Sequence, residues 1–114
     1  MSGITTHVLD IARGRPASGV GVVLEVLDAG GGWRELGRGE TDADGRLREL
    51  LPEGFAFTEG SYRLTFDAGA YFASQGAATF YAEVTVAFVV GDAAAHYHVP
   101  LLLSPFGYST YRGS

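Results

Sequence analysis

The run Val20-Gly21-Val22-Val23-Leu24-Glu25-Val26-Leu27-Asp28, followed at once by Ala29-Gly30-Gly31-Gly32, decides the fold. Successive side chains of a strand point to opposite faces, so Val20, Val22, Leu24 and Val26 form one apolar row that faces a core. The glycines then turn the chain into residues 33–40, which read as the next strand.

The same alternation extends outward in both directions. Residues 4–10 predict a first strand with Thr5, His7 and Leu9 on one face, and residues 13–19 predict a loop. Thr41-Asp42-Ala43-Asp44-Gly45 is a turn that delivers Arg46 and Leu47 onto a short strand. After a loop over residues 50–60, residues 61–67 alternate again, with Tyr62, Leu64 and Phe66 inward. Residues 68–76 are the one predicted helix. Strands follow over residues 83–90 and 96–104, and a last short one over residues 107–112. Short strands separated by turns predict an all-β, two-sheet sandwich of seven to eight strands with one short helix, a single domain over residues 1–114. Both faces of residues 84–90 and of residues 99–103 are apolar. A sheet covering only one core would alternate cleanly, so these strands are expected to meet another copy of the chain.

Composition excludes several chemistries. The 114 residues carry no Cys, which rules out disulfides, thiolate nucleophiles and thiolate metal sites. All eight basic residues are Arg, so there is no lysine for a Schiff base or a phosphate loop. A net charge of −5 gives no basic surface for nucleic acid. No apolar stretch approaches the ~18 residues of a membrane span. The N-terminal residues show neither a basic start nor an apolar signal core, so a cytoplasmic location is expected, or a periplasmic one if a leader was removed.

The candidate chemistry is sparse. His96 and His98 lie two apart on one strand and share a face. With His7 they could surround a zinc ion, but no acidic partners accompany them, and hydrogen-bonding imidazoles are the better reading. On spacing alone each histidine reads as a structural residue and Arg46 as a solvated arginine. Asp42-Ala43-Asp44-Gly45 departs from a calcium loop in its glycine position and has Arg46 where an oxygen ligand belongs. No Gly-x-Ser-x-Gly elbow is present. The chain ends in Tyr111-Arg112-Gly113-Ser114 directly after an apolar strand, which predicts a tail held in place as part of a polar site.

Taken together, these residues resemble the transthyretin-like family, and within it the 5-hydroxyisourate hydrolase branch. His7-Val8-Leu9-Asp10 with Gly14, Pro16 and Ala17 is similar to the family's first signature. Tyr97-His98-Val99-Pro100 and Leu103-Ser104-Pro105-Phe106-Gly107-Tyr108-Ser109 are similar to its second. The terminal Tyr-Arg-Gly-Ser is the ending of the hydrolases and not of the thyroid-hormone carriers.

The resemblance implies a transthyretin-like sandwich assembled as a homotetramer, a dimer of dimers, with active sites in a channel between dimers. It implies hydrolytic opening of 5-hydroxyisourate, a small purine-derived substrate, to 2-oxo-4-hydroxy-4-carboxy-5-ureidoimidazoline, with no cofactor and no metal. His7, Arg46, His98 and Ser114 are the expected catalytic residues. His7, Arg46, Tyr111 and Arg112 are expected to bind substrate. Which histidine activates water, and what His96 does, stay open. The competing expectation is a carrier of a small aromatic ligand in the same channel.

Overall fold

The computed structural model describes residues 3–114; Met1 and Ser2, where the reading of the N-terminus begins, lie outside the described residues. The strands are β1 (Gly3–Asp10), β2 (Arg15–Pro16), β3 (Gly21–Leu27), β4 (Trp33–Glu40), β5 (Arg46–Leu47), β6 (Gly60–Phe66), β7 (Val84–Val90), β8 (His96–Ser104) and β9 (Gly107–Thr110). Helix α1 (Ala68–Ser74) sits between β6 and β7. One sheet has the order β4-β3-β6-β7. The other runs β2-β1-β8-β9, with β5 also paired to β1, and its central pair β1/β8 is parallel.

The alternation behaves as expected. Val20, Val22, Leu24, Tyr62, Leu64 and Phe66 are all buried, and so are Ile4, Val8, Val99, Leu101 and Leu103 from the opposite sheet. Full burial of each such side chain contributes about 1.5–3 kcal/mol, which is why the two apolar rows close on each other. The buried hydroxyls are paired as well: Thr6 donates to the Val99 carbonyl at 2.6 Å and Thr41 to the Ala17 carbonyl at 2.6 Å.

Most element ends shift by one or two residues from the sequence reading, and two differences go further. Among the described residues the count of nine strands exceeds the expected seven to eight because part of the residue 13–19 loop pairs with β1, Leu9 opposite Pro16 and Asp10 opposite Arg15. Two residue pairs suffice for that ladder, too few to leave an alternating pattern. The last strand stops at Thr110 rather than Arg112, and the chain then rejoins the sheet through an isolated bridge between Gly113 and His98.

Helix α1 is short and pinned at its N-cap and at its middle. The Asp67 side chain accepts from the Ala70 N–H at 3.2 Å as an N-cap. The Tyr71 hydroxyl donates to Asp10 Oδ2 at 2.7 Å, and Asp10 is only 1% exposed. The Arg13 backbone N–H donates to the other Asp10 oxygen at 3.1 Å. Burial, then the hydrogen bond and the charge of Asp10, push the Tyr71 hydroxyl up to about 12, so it stays a neutral donor.

Candidate active site

Because Ile4, Thr6 and Val8 point into the core, their neighbours Thr5, His7 and Leu9 project from the outer face of the sheet. The same alternation in β8 turns Tyr97, Val99 and Leu101 inward and His96 and His98 outward. Parallel pairing places Thr5 beside His98 and His7 beside Pro100. On the other side of β1, Arg46 stands directly opposite His7. Residues opposite one another in an antiparallel pair share a face, so the arginine joins the histidines. Five polar side chains, distant in sequence, thus meet on one outer surface.

The turn before β5 fixes the arginine's place. Gly45 adopts φ 76°, the left-handed region open to glycine, and a β-carbon there would collide with the Val8 carbonyl oxygen. Val8 N–H donates to the Gly45 carbonyl at 2.7 Å, drawing the turn against β1. Asp42 Oδ1 accepts from the Arg46 N–H at 3.0 Å. A tight Asx turn, not a cation loop, is therefore what Asp42–Gly45 builds.

His7 and His98 face each other with ring centroids 6.5 Å apart and planes tilted by 37°. His7 Nε2 lies 2.9 Å from the Asp44 carbonyl oxygen. A carbonyl only accepts, so Nε2 carries the proton, and neutral His7 keeps its lone pair on Nδ1. His98 Nδ1 lies 2.8 Å from Thr5 Oγ1, which leaves His98 Nε2 as its free ring nitrogen. Arg46, His96, His98 and Thr5 line a hollow of about 720 Å³ together with Arg48 and Glu49. His7 is not in its lining and stands on the far side of the His98 ring from it by register.

The His98 imidazole is held below its ordinary value of 6.5. Partial burial is the largest cause, followed by the positive charge of Arg46 and smaller contributions from His7, His96 and Arg48. A histidine so placed stays neutral, and hence basic, at pH 7. Among the described residues no group of three or more His, Asp or Glu is arranged to hold a metal ion.

The tail divides in two. Gly113 N–H donates to the His98 carbonyl at 2.8 Å, and a β-carbon on Gly113 would lie 2.7 Å from His98 Cδ2. The bare glycine therefore lies flat on the catalytic candidate, and Ser114 follows one residue later. Tyr111 and Arg112 turn elsewhere. They line a separate hollow of about 290 Å³ with Val86, Phe88 and Tyr97. The Arg112 guanidinium lies over the Tyr97 ring at 4.4 Å. Within the chain, then, the structure unites His7, Arg46 and His98, brings the end of the tail beside them, and leaves Tyr111 and Arg112 in the other hollow. The sequence reading missed Thr5, although its place on the His7 face was visible.

Residues 4–113 match the model of the HIUase/Transthyretin family. The chain belongs to this family. It is 50% identical over 111 residues to a 5-hydroxyisourate hydrolase of Salmonella dublin, which covers 97% of the chain and 80% of the relative. Among solved structures, the 5-hydroxyisourate hydrolase of Klebsiella pneumoniae matches with a TM-score of 0.85 at 38% identity, covering 100% of each chain. Sea bream transthyretin in complex with thyroxine matches with a TM-score of 0.90 at 36% identity, covering 96% of this chain and 93% of that one. Backbone similarity to the two structures is comparable, so the fold alone does not divide hydrolase from carrier.

Proposed function

We propose that the chain hydrolyses 5-hydroxyisourate to 2-oxo-4-hydroxy-4-carboxy-5-ureidoimidazoline in a cytoplasmic setting, as a single-domain subunit of a homotetramer and without a cofactor. The observation that carries this reading is the meeting of two imidazoles and one guanidinium on a single outer face, His7 and His98 only 6.5 Å apart. Relatives at about half identity bear the hydrolase name, which supports the same reading.

Hydrolysis of a lactam needs a base for water, a stabiliser for the oxyanion that forms, and a proton for the departing nitrogen. His98, kept neutral by burial and by Arg46, offers Nε2 as the base. Arg46, always charged, orients the oxygen-rich ring and stabilises the oxyanion. His7, its Nε2–H held by Asp44, presents the Nδ1 lone pair as an acceptor that orients the water, and His98, once protonated, returns that proton to the departing nitrogen. Ser114, next to the glycine on His98, supplies a hydroxyl.

The hollow lies on the outer face of a sheet. Closure by a second copy fits the tetramer reading, and so do the exposed apolar side chains Val89 and Phe106, 71% and 73% accessible. Tyr111 and Arg112 would then bind substrate across the boundary between copies. The match to a thyroxine-bound transthyretin favours a second reading, a non-enzymatic carrier of a small aromatic ligand.

One assay separates the two. 5-Hydroxyisourate is generated with urate oxidase, and its ultraviolet absorbance is followed with and without the protein. We expect accelerated decay with wild type, and a loss of about a hundredfold or more in folded His7→Ala, Arg46→Ala or His98→Ala. Saturable binding with no acceleration would establish the carrier instead.

A further inference from the structure

Thr5 and His96 have no part in the mechanism above, yet they are joined to it. Thr5 Oγ1 lies 2.8 Å from His98 Nδ1 and also 2.8 Å from His96 Nε2. We infer that Thr5 and His96 are positioning residues that form a proton relay behind His98, switching it between base and acid within one catalytic cycle. The inference rests on the hydrolase reading and deepens it.

A hydroxyl has one proton, so Thr5 cannot donate to both rings at once. Two arrangements satisfy the chain of three groups. In the first, His98 Nδ1–H donates to Thr5, and Thr5 donates to the lone pair of His96 Nε2. His98 Nε2 then carries a lone pair and acts as a base in the hollow. In the second, His96 Nε2–H donates to Thr5 and Thr5 donates to His98 Nδ1, which makes His98 Nε2–H an acid.

The passage between them balances. As water attacks the carbonyl carbon, its O–H bond breaks and the proton joins His98 Nε2. The His98 Nδ1 proton passes to Thr5 Oγ1, and the Thr5 proton passes to His96 Nε2. Positive charge therefore comes to rest on His96. When the ring C–N bond breaks, the nitrogen takes the proton from His98 Nε2, and the relay runs back. The sum is one water added and no other reactant consumed.

Surroundings give the relay its direction. His98 is half-buried and faces Arg46 and Arg48 from the β5 side, His7 from β1 and the Gly113–Ser114 end of the tail. His96 is exposed at the start of β8, where water solvates an imidazolium. Glu49 and Glu53 line the same hollow, and the Arg112 guanidinium reaches the His96 carbonyl at 3.5 Å. Charge moved from His98 to His96 leaves a crowded cationic site for a solvated one.

Thr5→Val keeps the β-branched shape of the strand residue and removes only the hydroxyl. We expect kcat to fall by about tenfold or more with KM little changed, and Thr5→Ser to restore it. His96→Gln should likewise lower kcat. In the uniformly labelled full chain, nitrogen NMR should show the His98 tautomer balance changed in Thr5→Val. A wild-type kcat in folded Thr5→Val, or a His98 tautomer indifferent to that substitution, overturns the relay. A wild-type protein that leaves 5-hydroxyisourate decay unaccelerated instead defeats the hydrolase reading, and the tautomer measurement still decides the Thr5 link.

Discussion

Adding one methyl group at Gly113 tests the tail's part in the site more sharply than deleting it. The backbone of Gly113 is not in the left-handed region, so alanine brings no conformational strain of its own. Its β-carbon would stand 2.7 Å from His98 Cδ2, 3.2 Å from Pro100 Cγ and 3.4 Å from His98 Cγ. Carbon atoms rest at about 3.5–4.0 Å, so ring and tail must part by roughly 1 Å. The ring has little freedom to swing away, because Thr5 holds its Nδ1 at 2.8 Å. Either His98 tips and loosens that hydrogen bond, or the tail lifts and loses the Gly113–His98 bond of 2.8 Å. A misplacement of that size in a reacting group costs about a hundredfold in rate. The lost backbone bond is worth only about 1 kcal/mol, a few degrees in melting temperature. We therefore expect Gly113→Ala to lower kcat in the ultraviolet assay by about a hundredfold while the protein stays folded. Deletion of residues 111–114 should cost at least as much and leave the proposed homotetramer intact. Wild-type turnover in Gly113→Ala would refute the argument that this glycine seats the His98 ring.

Further outcomes follow from the structure. His98 should titrate below 6.5 by NMR, and in Arg46→Met its midpoint should rise while staying below 6.5, because burial is the larger cause. The unfolded chain protonates this histidine first as pH falls, so stability should decline from 6.5 downward and level off beneath the folded midpoint; a midpoint above 6.5 would contradict the reading. Tyr71→Phe removes the hydroxyl bonded to buried Asp10 and should cost about 1–3 kcal/mol in urea unfolding, with an unchanged midpoint as the contrary result.

How much of this was legible depended on the range of the interaction. Alternation within a strand is local, so the inward rows at Val20–Val26 and Tyr62–Phe66 could be read directly, as could the shared face of His96 and His98. The meeting of Thr5 with His98 rests on a parallel register between strands some ninety residues apart, |i−j| of 93 for the hydrogen bond, and no local pattern encodes it. Arg46 was visible only through resemblance, since a strand of two residues has no period. The tail was read as one unit because its four residues are contiguous. In the structure it splits, Arg112 covering Tyr97 while Gly113 lies on His98, because the backbone re-enters the sheet only at residue 113.

That split also explains how one sandwich can serve unlike functions. The inward residues of β1 and β8 are fixed by packing: Ile4, Val8, Val99 and Leu101 are each no more than 6% exposed, and changing them costs stability. The alternate residues, Thr5, His7, His96 and His98, bear none of that load, so chemistry can be written on every second position without disturbing the core. A backbone match to both a hydrolase and a thyroxine-bound carrier is what such a division would produce. The function of a member of this fold must therefore be argued from the outward row, and here that row holds two facing imidazoles, an arginine in register with one of them, and a threonine hydroxyl shared between the other and His96.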